Sequence, residues 1–140
     1  MGDPAFAKVT ADGRMHWSYP AALRFLRVLR AHGWQATTWQ IGEAYRTAAA
    51  HSDAASVRAM FRECGVEDWQ GSVGCEFVTR SEEDRHVYRY WIPRGLRDLA
   101  ERVLRWEREH PTPRGARPDF VALGRPARVE QASLFSGSQK

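Results

Sequence analysis

The chain has 140 residues, 43% of them hydrophobic, with 21 basic and 17 acidic side chains and two cysteines. That length buries a core without disulfide or metal staples, which argues against a small cross-linked scaffold. The chain opens with no basic leader followed by an apolar run, and no apolar stretch is long enough for a bilayer. It therefore reads as a cytoplasmic protein with Cys64 and Cys75 as buried free thiols.

The net charge of +4 is unevenly spread: residues 14–62 carry +5 and residues 111–140 carry +3, whereas residues 63–110 carry −3. Local basic clustering governs phosphate affinity, so the first half and the tail are the candidate nucleic-acid surfaces. Nineteen of the basic residues are arginine. Their planar fork suits phosphate or guanine, although a GC-rich genome would produce the same bias.

Residues 1–17 form an expected N-terminal arm or short hairpin turning at Asp12-Gly13. From Ser18 a helix is predicted, with Pro20 in its first turn and Gly33 as its stop. Ala22, Phe25, Leu26 and Leu29 make its core face, while Arg24, Arg27 and Arg30 gather on the other side. Those arginines either flank a phosphate backbone or only solvate the helix. Trp34–Ala36 reads as a short strand. Thr37 and Gln40 then fit a capping box, which starts a second helix at Thr38 with Ile41, Ala44, Tyr45 and Ala48 inward.

After a small-residue turn, Ser52-Asp53 is expected to cap a third helix that carries Val57, Met60, Phe61 and Cys64 inward and stops at Gly65. Ala55, Arg58, Ala59 and Arg62 then face outward. Small residues allow close approach to a groove, and the two arginines reach guanine edges or phosphates. The candidate DNA contacts are Arg24, Arg27, Thr38, Ser52, Ala55, Ser56, Arg58, Ala59 and Arg62. A merely solvated face is the alternative.

Residues 73–80 and 86–91 are rich in β-formers and read as a hairpin joined by SEED, with Val73, Cys75 and Phe77 on one face. Glu82, Glu83 and Asp84 at the tip would repel phosphate, so the tip is not expected in a groove. Arg80, Arg85 and Arg89 are expected to pair with those acids, with contact to the DNA backbone as the alternative. A helix over 95–109 follows, with Leu96, Leu99, Val103 and Trp106 on one seam and outer charge pairs Asp98–Arg102 and Glu101–Arg105. Packing on the first helix is expected, with a homodimer through this helix as the alternative.

The order helix, short strand, helix, helix, strand, strand over Ser18–Trp91 resembles the winged helix-turn-helix, most of all the small winged-helix proteins of bacteriophages and other mobile elements. The expected fold class is α+β. A winged helix-turn-helix (18–92) is followed by an additional C-terminal amphipathic helix packed on the domain (93–110) and a disordered, flexible tail (111–140).

Pro111 is expected to end the folded part, and the Pro-, Gly- and Arg-rich coil to Glu130 would span about 25 Å root-mean-square. Gln131-Ala132-Ser133-Leu134-Phe135 resembles the pentapeptide, usually written QL(S/D)LF, by which bacterial replication and repair proteins dock on the sliding clamp. Gln131, Ser133, Leu134 and Phe135 match. The resemblance implies that Gln131 hydrogen-bonds at one end of the clamp groove while Leu134 and Phe135 fill its pocket. Ala132 departs from the leucine, at a cost of roughly 1–2 kcal/mol in lost apolar burial.

The five histidines lack metal-ligand spacing, no glycine-rich phosphate loop is present, and no catalytic constellation stands out. The expectation is a non-enzyme without metal or cofactor: a DNA-binding protein tethered to the bacterial replication clamp, with double-stranded DNA and the clamp as partners and no membrane role. The alternatives are a protein–protein module that blocks or redirects the clamp, and a transcriptional regulator or excisionase with an incidental tail.

Overall fold

The computed structural model describes residues 17–45, 49–83 and 85–125. The expected N-terminal hairpin, Ala48, Asp84 and the Gln131–Phe135 motif lie outside those residues. The fold is α+β, with helices packed on a small antiparallel sheet.

Helix α1 (Tyr19–Ala31) starts where Ser18 Oγ accepts the Ala21 N–H at 3.2 Å, with Pro20 in the first turn. Ala22, Phe25, Leu26 and Leu29 are buried, as their spacing predicts. The helix ends through Gly33 and Trp34, both left-handed at φ 73° and 72°. That conformation is strained for tryptophan, and backbone bonds hold it: Trp34 N donates to Leu29 O, and Trp34 O accepts from Ile92 N. This tight exit feeds β1 (Gln35–Thr37) straight into the sheet.

Helix α2 (Thr38–Tyr45) begins with the predicted capping box: Gln40 Oε1 accepts the Thr37 N–H at 2.8 Å, and Thr37 Oγ1 accepts the Gln40 N–H at 3.3 Å. Ile41 is buried and Tyr45 packs on the core, but Ala44 is exposed, contrary to the predicted face. Helix α3 (Ala50–Glu63) starts at least three residues earlier than expected. Ser52 and Asp53 lie inside its first turn, because Asp53 is drawn into the interior by a counter-charge and does not cap. Gly65, at φ 90°, closes the helix as predicted.

Strands β2 (Gly74–Arg80) and β3 (His86–Trp91) form the hairpin, and β1 joins it on the other side, giving the order β1-β3-β2. Tyr90 pairs with Ala36 and Cys75 and meets Phe25 edge-on at 5.5 Å, so the sheet closes the core there. The predicted inward face of β2 is not realised beyond Val73. Cys75 and Phe77 are exposed because β2 is an edge strand that runs past the helices, and a bulge between Phe77 and Thr79 breaks its alternation. Of the two thiols, only Cys64 is buried. Arg89 pairs with Glu76 at 2.6 Å on the neighbouring strand, not with an acid of the tip.

Helix α4 (Arg97–Glu109) packs on α1 through Leu99, Ala100, Val103 and Leu104. Its buried seam is rotated from the predicted one: Trp106 is 37% exposed and stacks on His110 at 3.9 Å. Leu99 and Val103 of the predicted seam are buried within the chain. Glu101 reaches across to Arg30 at 3.7 Å.

The chain does not leave the fold at Pro111. Residues 112–117 arch back over α1, and the helical residues 120–125 insert Phe120 and Leu123 into the core beside Trp17, Tyr19 and Cys64. Proline and arginine content hides this return, because two buried side chains leave no periodicity. Among the described residues no helix is long and apolar enough to cross a membrane.

Candidate nucleic-acid interface

Helix α3 is covered on two sides. Ala50, Asp53, Ala54, Ser56, Val57, Ala59, Met60 and Phe61 are all buried, against α1 on one flank and against the loop 66–73 with its short 3-10 turn on the other. What remains toward solvent is one stripe at spacings of four, three and four, the exposed His51 and the half-buried Ala55, Arg58 and Arg62, with the exposed Glu63 at the end of the helix. Ser52 is half-buried beside it.

Two of the predicted DNA contacts are therefore interior. Ala59 is 1% exposed, and Ser56, fully buried, accepts the Ser18 N–H at 3.1 Å and so ties the start of α1 to α3. Helical periodicity encodes neither burial, because the elements packed on α3 are distant in sequence, as the Ser18–Ser56 bond shows.

The two stripe arginines are anchored. Arg58 donates from Nη2 to the Val73 carbonyl at 2.9 Å, and the Arg62 guanidinium lies 5.3 Å from the centre of the Trp69 ring. Each keeps part of its fork toward solvent, but neither side chain swings freely. Glu63, Glu67 and Asp68 follow in sequence and are exposed, so the C-terminal end of the stripe is not strongly positive.

The arginines of α1 diverge. Arg24 turns to α3 and grips the Asp53 carboxylate, its guanidinium also lying 4.9 Å from the Tyr45 ring centre. A fully buried carboxylate needs such a partner, which withdraws Arg24 from the predicted DNA surface. Burial, reinforced by the Asp53 carboxylate, pushes the Tyr45 phenol well above its usual range. Arg30 turns to Glu101, and Arg27 lines a cleft with Arg114 and Arg117.

Thr38 is also committed. Its Oγ1 accepts the Tyr88 N–H at 2.9 Å and donates to the Tyr88 carbonyl at 3.3 Å. Where β1 stops, this hydroxyl continues the ladder on β3, fixing the hairpin against the start of α2. Of the predicted contacts, Ser52, Ala55, Arg58 and Arg62 share one surface, and Arg27 belongs to another.

Sequence reasoning did not find Trp39 and Phe77, which are 54% and 57% exposed. Phe77 meets His86 and Tyr88 edge-on at 5.5 and 6.1 Å, an aromatic group on the hairpin. The signal was present in the pairing of Phe77 with Tyr88 across the strands, but alternation only placed Phe77 on one face with Val73 and Cys75.

Compared with known protein families, with curated proteins and with solved structures, the chain finds no match.

Proposed function

We propose that this chain is a winged helix-turn-helix that binds double-stranded DNA mainly through phosphates, and that its tail tethers it to the bacterial replication clamp. The observation that carries the reading is topological. A capped helix leads into a second helix, and the hairpin after it takes β1 onto its β3 side in the order β1-β3-β2. The stripe His51, Ala55, Arg58, Arg62 is the exposed face of the helix that enters the groove in such proteins. Arginines anchored to Val73 and Trp69 are less free to adapt to base edges, which favours phosphate contact and low sequence selectivity. The clamp part rests on Gln131, Ser133, Leu134 and Phe135.

Titration of a labelled duplex across a salt series tests the first part. Ala55→Glu sets a negative charge on the stripe without removing an anchor and should weaken binding roughly tenfold or more. Arg62→Gln should lower the slope of log affinity against log salt by about one. Unchanged affinity and slope in both variants would reject α3 as the DNA surface. For the second part, a Leu134→Ala/Phe135→Ala variant should lose binding to purified sliding clamp.

A specific observation favours a second reading, a protein–protein module that blocks or redirects the clamp. The hairpin exposes Phe77 and Val78 next to Glu76, Glu82 and Glu83. An apolar, acidic surface suits a protein partner and repels phosphate. Under this reading Phe77→Ser abolishes the activity in cells while duplex binding is absent in the parent protein.

A further inference from the structure

The segment after α4 is fastened at both ends. Glu107 accepts hydrogen bonds from Thr112 N at 2.7 Å, Thr112 Oγ1 at 2.6 Å and the Tyr19 hydroxyl at 2.8 Å. At the other end, the Arg117 guanidinium lies 4.1 Å from the Trp17 ring centre and donates to the Trp17 carbonyl. Between these fastenings the segment spans a cleft of about 700 Å³ against the first turns of α1. A volume of that order lies in the range of small-molecule sites.

The charge in this cleft is predominantly positive. Glu107 faces it as the one acid among three arginines, its carboxylate accepting three hydrogen bonds and interacting electrostatically with Arg27. Arg27 enters from α1 and Arg114 from the middle of the arch; both are exposed, and neither makes a hydrogen bond or ion pair with another described residue. Its apolar walls include Pro20, Leu23 and Pro113. A planar fork binds the two oxygens of a phosphate or carboxylate together, whereas proline faces and guanidinium planes accommodate a flat apolar body.

We infer that the cleft between α1 and residues 112–117 binds a small organic anion, an oxyanion carried on a planar apolar body. Arg27 and Arg114 hold the oxyanion, and Pro20, Leu23 and Pro113 enclose the body. The site shares no lining residue with the α3 stripe, and it requires neither DNA nor clamp.

Calorimetric titration of the full chain tests this with three probes: adenosine monophosphate, 2-naphthoate, and adenosine as the uncharged counterpart. Binding of either anion with adenosine at least roughly tenfold weaker supports the site, and the better anion identifies phosphate or carboxylate as the preferred group. Arg27→Gln and Arg114→Gln, both at exposed positions, should each weaken the anion roughly tenfold, while Arg30→Gln on the same helix leaves it unchanged. Indole and backbone amide signals of Trp17, Tyr19 and residues 112–117 should shift in a nitrogen–proton correlation spectrum. The inference is overturned if neither anion binds up to about 5 mM, if adenosine binds as well as its phosphate, or if the two arginine variants bind like the parent.

Discussion

Arg24 and Asp53 form a two-pronged ion pair, Nε to Oδ2 at 2.8 Å and Nη2 to Oδ1 at 3.0 Å, in which the aspartate side chain is 1% exposed and the arginine side chain 40%. The asymmetry of burial predicts an asymmetry of cost. Arg24→Met strands a buried charge and should destabilise by about 3–5 kcal/mol, whereas Asp53→Asn leaves an arginine that water can reach and should cost less. The double variant should lose less than the sum of the singles. Urea unfolding of the four proteins measures the coupling, and additive losses would mean that the pair does not act as a unit.

Thr38 joins two elements that are fifty residues apart. Thr38→Val removes the partner of both the Tyr88 N–H and the Tyr88 carbonyl and should cost about 1–3 kcal/mol, while Thr38→Ser should retain most of the stability. Hydrogen exchange at the Tyr88 amide should accelerate in the valine variant and stay near the parent rate in the serine variant.

The two thiols should behave differently. Burial pushes Cys64 up to about 12, with the Glu63 charge adding to it, so in the native protein only the exposed Cys75 should react readily with a disulfide reagent at pH 8. Below the unfolded thiol value of about 8.5, both folded and unfolded states hold the Cys64 proton and this group gives no pH dependence. Above it the unfolded chain sheds the proton first, so stability should fall as pH rises toward 12, by up to ~1.4 kcal/mol per pH unit from this group. Tyr90, also raised to about 12 by burial and by Cys75, adds in the same direction once its own unfolded value is passed. Cys64→Ala should flatten the alkaline limb of a pH–stability profile measured by denaturant midpoint.

Two glycines are steric requirements of different severity. A Cβ at Gly124 would lie 1.9 Å from the Cys64 carbonyl oxygen, a backbone atom at the end of α3. At Gly74 it would lie 2.0 Å from the Trp91 ring, a side chain that can rotate away. Gly124→Ala should therefore cost more, of order 2–3 kcal/mol against about 1 for Gly74→Ala. Limited proteolysis should also cut between 111 and 119 faster in the Gly124 variant, because the helical residues beyond that segment lose their seat.

Features decided within a few residues were legible in the chain. The Thr37–Gln40 box spans three positions, the Gly65 stop follows its helix directly, and the β-formers at 86–91 needed no distant partner to be read as a strand. Features decided by distant layers were not. Ala59 and Arg58 look identical on a helical wheel to residues in water until the loop 66–73 folds over them. Asp53 resembled a cap because its partner lies twenty-nine residues away on α1. The return of Phe120 carried a local signal that composition obscured: Asp119 Oδ1 accepts the Ala122 N–H at 3.1 Å, a cap before the apolar run Phe120–Leu123. The placement of Arg27 beside Arg114 and Arg117 depends entirely on that return.

If Gln131–Phe135 docks a partner, the docking of Phe120 and Leu123 shortens the leash. The covalent distance from the domain to Gln131 is set by the five residues 126–130, which reach at most about 18 Å fully extended, and not by a coil starting at Pro111. A partner that held Gln131 would stand within that reach of Arg125, so it would be held at close range and not on a long tether.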